Sequence, residues 1–102
     1  MLTGHFGGAV SSGTDQPLVT AAAGRRIRVL SLVVAAAATT TLVFNSKGAS
    51  AGTPISQTFQ VPAGGLVLPL NAHGWFETNV GEGLTCTPAA AVQMDIDYGA
   101  RL

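Results

Sequence analysis

Charge is scarce in this chain. Only 10% of the 102 residues are charged, against about 25% in an average soluble domain. Five basic residues balance five acidic ones, so there is no basic excess of the kind that phosphate backbones require, and a nucleic-acid partner is not expected. A single cysteine, Cys86, excludes an internal disulfide and a cysteine-based zinc site. It lies among Leu84, Thr85, Thr87 and Pro88 and is expected to be a small buried hydrophobe and not a nucleophile. Neither His5 nor His73 has a second ligand at helical or strand spacing, and no metal or cofactor is expected. Gly7-Gly8 and Gly64-Gly65 precede no helix pattern, which removes a phosphate-cradle reading. The N-terminal MLTGHFGGAVSSGTD has neither a basic n-region nor a continuous apolar run and does not read as a secretory signal.

What the chain has instead is apolar and small. Hydrophobic residues make up 47% of it, with 13 glycines. A length of 102 residues sets the expectation of one domain. So few charges imply either a surface of Gly, Ser and Thr or a surface covered by copies of the chain or by another protein, since interface cores are depleted of charge.

The organising stretch is GRRIRVLSLVVAAAATTTLVFN at 24–45. Its strand alternation puts Ile27, Val29, Ser31, Val33 and Ala35 on an inner face. Arg26, Arg28, Leu30, Leu32 and Val34 fall on an outer face that passes from charge to contact. A rival reading is a membrane helix, because 27–44 carries only Arg28 as charge and approaches the required length. The Val and Thr content and the internal position favour strands.

Further strands are expected at 17–23, 55–61, 66–70, 75–80, 84–87 and 91–98, beside 26–38 and 39–45. In the last of them Val92, Met94, Ile96 and Tyr98 alternate with Gln93, Asp95 and Asp97. Trp75 and Phe76 must fall on opposite faces, with Phe76 expected in the core and Trp75 as an interface or half-buried residue. Eight short strands with turn signals between them point to an all-β fold, an antiparallel β-sandwich, with a jelly roll first and a fibronectin-like sandwich second. Residues 17–102 form this domain. Residues 1–16 form a glycine-rich N-terminal arm, either disordered, a short edge strand at His5-Phe6 and Ala9-Val10, or ordered only against a neighbouring subunit. Asp95 and Asp97 share a strand face, and Glu77 and Glu82 flank a turn. Two carboxylates are too few for a calcium site, and nothing in the sequence supplies a hydrolase cleft.

The strings AAGRRIRVL at 22–30, TLVF at 41–44, GWFET at 74–78 and VGEGL at 80–84 resemble the "GKRIRV", "TVTF", "GWFET" and "VGEAL" segments of small tailed-bacteriophage virion proteins. The likeness runs from about Val19 to Tyr98, with Arg25 in place of the usual Lys and a departure at Cys86-Thr87-Pro88. It implies a non-enzymatic decoration (cement) protein on the capsid surface of a virion, made and assembled in the bacterial host cytoplasm. Its implied partners are the major capsid protein and itself, as a dimer or trimer, with no nucleic acid and no membrane. A tail or head-fibre accessory role in attachment or glycan binding is the alternative. The candidate interface residues are Phe6, Val10, Arg26, Arg28, Leu30, Leu32, Val34 and Trp75.

Overall fold

The long apolar stretch is divided between two strands that lie in different sheets. The computed structural model describes residues 2–101; Met1 and Leu102, the outermost residues of the expected arm and domain, lie outside them. The strands are β1 (Leu2–Val10), β2 (Gln16–Val19), β3 (Arg26–Ala35), β4 (Thr40–Lys47), β5 (Thr53–Pro54), β6 (Phe59–Val61), β7 (Leu66–Leu68), β8 (Phe76–Glu77), β9 (Gly83–Pro88) and β10 (Val92–Arg101). The described residues contain no helix, so 27–44 forms strands and not a membrane helix. The first sheet has the order β1-β10-β3-β7, with β8 also paired to β3. The second has the order β2-β9-β4-β5, with β6 also paired to β4. All pairings are antiparallel.

The core lies between the sheets. Ile27, Val29, Leu32, Val34, Met94 and Ile96 enter it from the first sheet, and Leu42, Phe44, Val61, Leu84 and Cys86 from the second. At one end Phe44 packs against Phe76 with ring centroids 4.9 Å apart and meets Phe59 edge-on at 6.2 Å. The alternation expected for 92–98 is met in β10, whose Gln93, Asp95 and Asp97 point to solvent.

The alternation expected for 26–35 fails half-way, and the cause is a β-bulge. Asp97 pairs with Ser31 but Tyr98 pairs with Val29, so Leu30 is an extra residue on β3. One extra residue reverses which face every later side chain takes. Ile27 and Val29 point inward before the bulge, and Leu32 and Val34 point inward after it, at 0% and 1% exposure. Val33 is turned out, 46% exposed. Leu32 and Val34 are therefore core residues and not part of an outer face. The loop between β7 and β8 satisfies the backbone at the bulge: the Asn71 N–H donates to the Leu30 carbonyl at 2.9 Å and the Trp75 N–H to the Val29 carbonyl at 2.8 Å. Gly74 allows this approach. Its φ is +83°, and a side chain there would run into Arg28.

The N-terminal segment takes the edge-strand form. β1 pairs with β10 without interruption from Leu2↔Ala100 to Val10↔Val92. The Tyr98 ring fills the space above Gly4, an aromatic covering an edge glycine. The expected strand 55–61 is shorter than its pattern suggested: Pro54 ends β5, and pairing with β4 resumes only at Phe59.

Candidate interaction surface

The two sheets differ in what covers their outer faces. Loops cover much of the second. Asp15, in a left-handed conformation with φ 52°, accepts hydrogen bonds from the Gly52 N–H at 2.9 Å and the Thr85 hydroxyl at 3.0 Å. Its own N–H donates to Thr87 Oγ1, which also accepts from the Asn45 amide. Thr85 and Asn45 are buried under this cover although both are polar.

On the first sheet the β7–β8 loop packs on Arg28, but among the described residues no loop covers the outer face around Val33 and Val67. Register places Val67, Val33, Asp95 and Gly7 in one cross-strand row. Ala35, Gln93 and Ala9 form the next row. Val33 is 46% and Val67 62% exposed. Beside the second row lies an open depression of about 460 Å³ lined mainly by alanines, including Ala9, Ala35, Ala36 and Ala91.

Two polar clusters stand on this face. The His5 ring is 2.8 Å from Asp97 Oδ1 and 3.3 Å from Asp95 Oδ1, and the Ser31 hydroxyl donates to Asp97 Oδ2 at 3.0 Å. The Asp97 carboxylate raises the His5 pKa, helped by Asp95. His5 and then Ser31 lower that of Asp97. No group of three or more His, Cys, Asp or Glu side chains among the described residues is arranged to hold a metal ion. The two aspartates are solvated outer-face residues that fasten β1 to its neighbours.

The arginines are engaged within the chain. Glu77 on β8 receives Arg28 Nε of β3 at 3.1 Å and Arg101 Nε of β10 at 2.8 Å, with a second bond from Arg101 Nη2 to its other oxygen at 2.9 Å. One carboxylate thus joins three adjacent strands. These partners, Arg101 before Arg28, hold its pKa down to about 2. Arg25 reaches the Ala100 carbonyl at 3.2 Å and Arg26 the Thr78 carbonyl at 3.4 Å. Glu82 does not face Glu77. It accepts from Ser46 at 2.6 Å and from Asn79 at 3.2 Å.

The expected interface residues are therefore scattered. Phe6 lies half-buried on β1 and Val10 is buried at its end. Leu32 and Val34 are in the core. Arg28, Leu30 and Trp75 gather near the β7–β8 loop and Arg26 beside the segment that follows β8, across the sheet from β1. Trp75 is 42% exposed, and its indole N–H donates to the Pro69 carbonyl at 2.8 Å. It borders a cleft of about 410 Å³ with Ser56, Gln57, Phe59 and Leu68. Sequence reasoning missed Val33 because the bulge reverses its side, whereas Val67 follows plain strand alternation, exposed between the part-buried Leu66 and Leu68.

No family model, curated protein or solved structure matches the chain. Cys86 is fully buried, and burial raises its thiol pKa to about 12, which leaves it protonated and unreactive near neutral pH.

Proposed function

We propose that this chain is a non-enzymatic virion structural protein of a tailed bacteriophage, a decoration protein that binds the outer capsid surface and stabilises the head. One observation carries the reading: the outer face of the first sheet exposes Val33 and Val67 beside an alanine-lined depression, whereas loops cover much of the second sheet's outer face. The string resemblance across about 19–98 supports the phage assignment. The sheet orders support a jelly roll. When β5 and β6 count as one interrupted strand and β7 and β8 as another, eight strands lie in the orders 1-8-3-6 and 2-7-4-5, the two-sheet Greek-key pattern of that fold. The partners are the major capsid protein and a second copy of the chain. A ligand that binds only the assembled lattice stabilises it by mass action.

The test is light scattering and co-sedimentation of the purified chain with capsids that lack it. Binding at lattice stoichiometry is the expected result, and a chain that ignores such capsids sinks the reading. The Trp75 cleft favours a second reading, a tail or head-fibre accessory that binds glycan, because a half-exposed indole beside Ser56 and Gln57 offers a ring face and polar groups together. Copy number in the particle separates them: hundreds for decoration, a few to dozens for a tail part.

A further inference from the structure

The strand edges of this sandwich are guarded very unequally. An edge strand presents unpaired N–H and C=O groups that template pairing with another chain, and proteins blunt such edges by shortness, proline or charge. The second sheet ends on β2, which has four residues and Pro17, and on the short β5 and β6, of which β5 contains Pro54. The first sheet ends on one side in β7 and β8, of three and two residues. On the other side it ends in β1, nine residues long. The sequence of β1, LTGHFGGAV, has no proline, lysine, arginine or carboxylate.

We propose that β1 pairs antiparallel with β1 of a second copy about a twofold axis at Phe6, joining the two first sheets into one. The occupant is a second copy because the strand is complementary to itself. With Phe6 opposite Phe6 of the second copy, His5 faces Gly7 and Thr3 faces Ala9, so no like charges meet. Phe6 packs on the core but is only half-buried, and its exposed flank is what the second aromatic covers. The overlap supplies about one backbone hydrogen bond per residue to groups that otherwise rely on water. Closed twofold symmetry leaves no free β1 edge for further growth. The pairing names the mode of the self-association in the proposed function and rests on that part of it, but not on capsid binding.

The test places charge on the exposed outer side of the edge, where Thr3 and Ala9 point away from the core. Light scattering should find the wild type as a dimer, with β1 backbone amides slow to exchange. Thr3→Lys with Ala9→Lys sets like charges opposite in both symmetric pairs and should give a monomer with an unchanged far-ultraviolet spectrum. Its dissociation constant should rise at least tenfold. Thr3→Lys with Ala9→Glu sets opposite charges in the same register and should restore the dimer. A wild type that is a monomer at high concentration overturns both the pairing and self-association, leaving capsid binding to its own test. A wild-type oligomer whose β1 amides exchange freely, or which the double-lysine variant leaves intact, overturns the β1 pairing alone. Slow β1 exchange that appears only on adding capsids also overturns it, and assigns the edge to a capsid strand.

Discussion

Glu77→Gln is the sharpest test of what holds the first sheet together. The carboxylate of Glu77 receives Arg101 through two hydrogen bonds and Arg28 through its Nε, tying β8, β3 and β10. Its pKa is about 2, against an ordinary 4.5. At about 1.4 kcal/mol for each tenfold change in proton affinity, the ionised form is favoured by roughly 3 kcal/mol in the folded state. The side chain is 26% exposed, so solvent screening lowers the expected loss to about 2 kcal/mol at pH 7. The sign follows from the lowered value. The contribution is fully present above about 4.5 and is lost as pH falls through about 2. Denaturant unfolding of wild type and Glu77→Gln at a series of pH values should show a gap of about 2 kcal/mol at neutrality that narrows below pH 4.5. A gap under about 0.5 kcal/mol at pH 7, the size of an ordinary surface change, or a gap that does not vary with pH, would refute the reasoning.

Thr78 is fully buried, and its hydroxyl accepts the Ile27 N–H at 2.9 Å. Thr78→Val strands that N–H and should cost about 1–3 kcal/mol, while Thr78→Ser, which keeps the acceptor, should cost less by the same unfolding measurement. Cys86 should resist thiol reagents in the native protein at pH 8 and react only on unfolding, so rapid native labelling would contradict its burial. His5 has a raised pKa and Asp97 a lowered one. The histidine's contribution is fully present below about 6.5 and fades as pH rises through its raised value. The aspartate's is present above about 3.8 and fades as pH falls through its lowered value. Amide exchange in β1, corrected for intrinsic rates, should therefore be slowest between these limits, and His5→Gln should remove that pH dependence.

The legible parts of this fold are those where local alternation and burial agree. In 92–98 the apolar residues keep one parity, and β10 follows them. In 40–44 Leu42 and Phe44 do the same. The parity of β3 was not legible, because the bulge at Leu30 depends on a loop some forty residues later that donates the Asn71 and Trp75 amides to it. Every residue of the run 29–35 except Ser31 is apolar, so either face could have been the inner one. The role of Arg28 was equally hidden. Its carboxylate partner, Glu77, lies 49 residues away, and only the pairing of β3 with β8 brings them together. By contrast Trp75 beside Phe76 had to divide its aromatic pair between two faces, and the structure makes the division in the expected sense: Phe76 packs on the core and Trp75 stays half-exposed.

The proposed pairing has a consequence for how the outer face would be used. A twofold axis that joins two antiparallel edge strands stands perpendicular to the joined sheet, so the outer faces of both copies point the same way. Each dimer then presents two Val33–Val67 patches toward one surface. Two linked sites raise apparent affinity about 10²–10⁴-fold over one, provided that geometry lets both engage. Ala9 lies in the row beside Val33–Val67, so the dimeric Thr3→Lys, Ala9→Glu variant, which is charged at the same two positions, is the control: against it the double-lysine monomer should still bind capsids, but with affinity lower by about a hundredfold or more. Val67→Lys, at an exposed position, should leave the dimer intact and abolish capsid binding. Capsid titration of these three variants separates the roles of edge and face. Equal capsid affinity for monomer and dimer would mean that the two faces do not act together, and unimpaired binding by Val67→Lys would mean that the docking surface lies elsewhere on the sandwich.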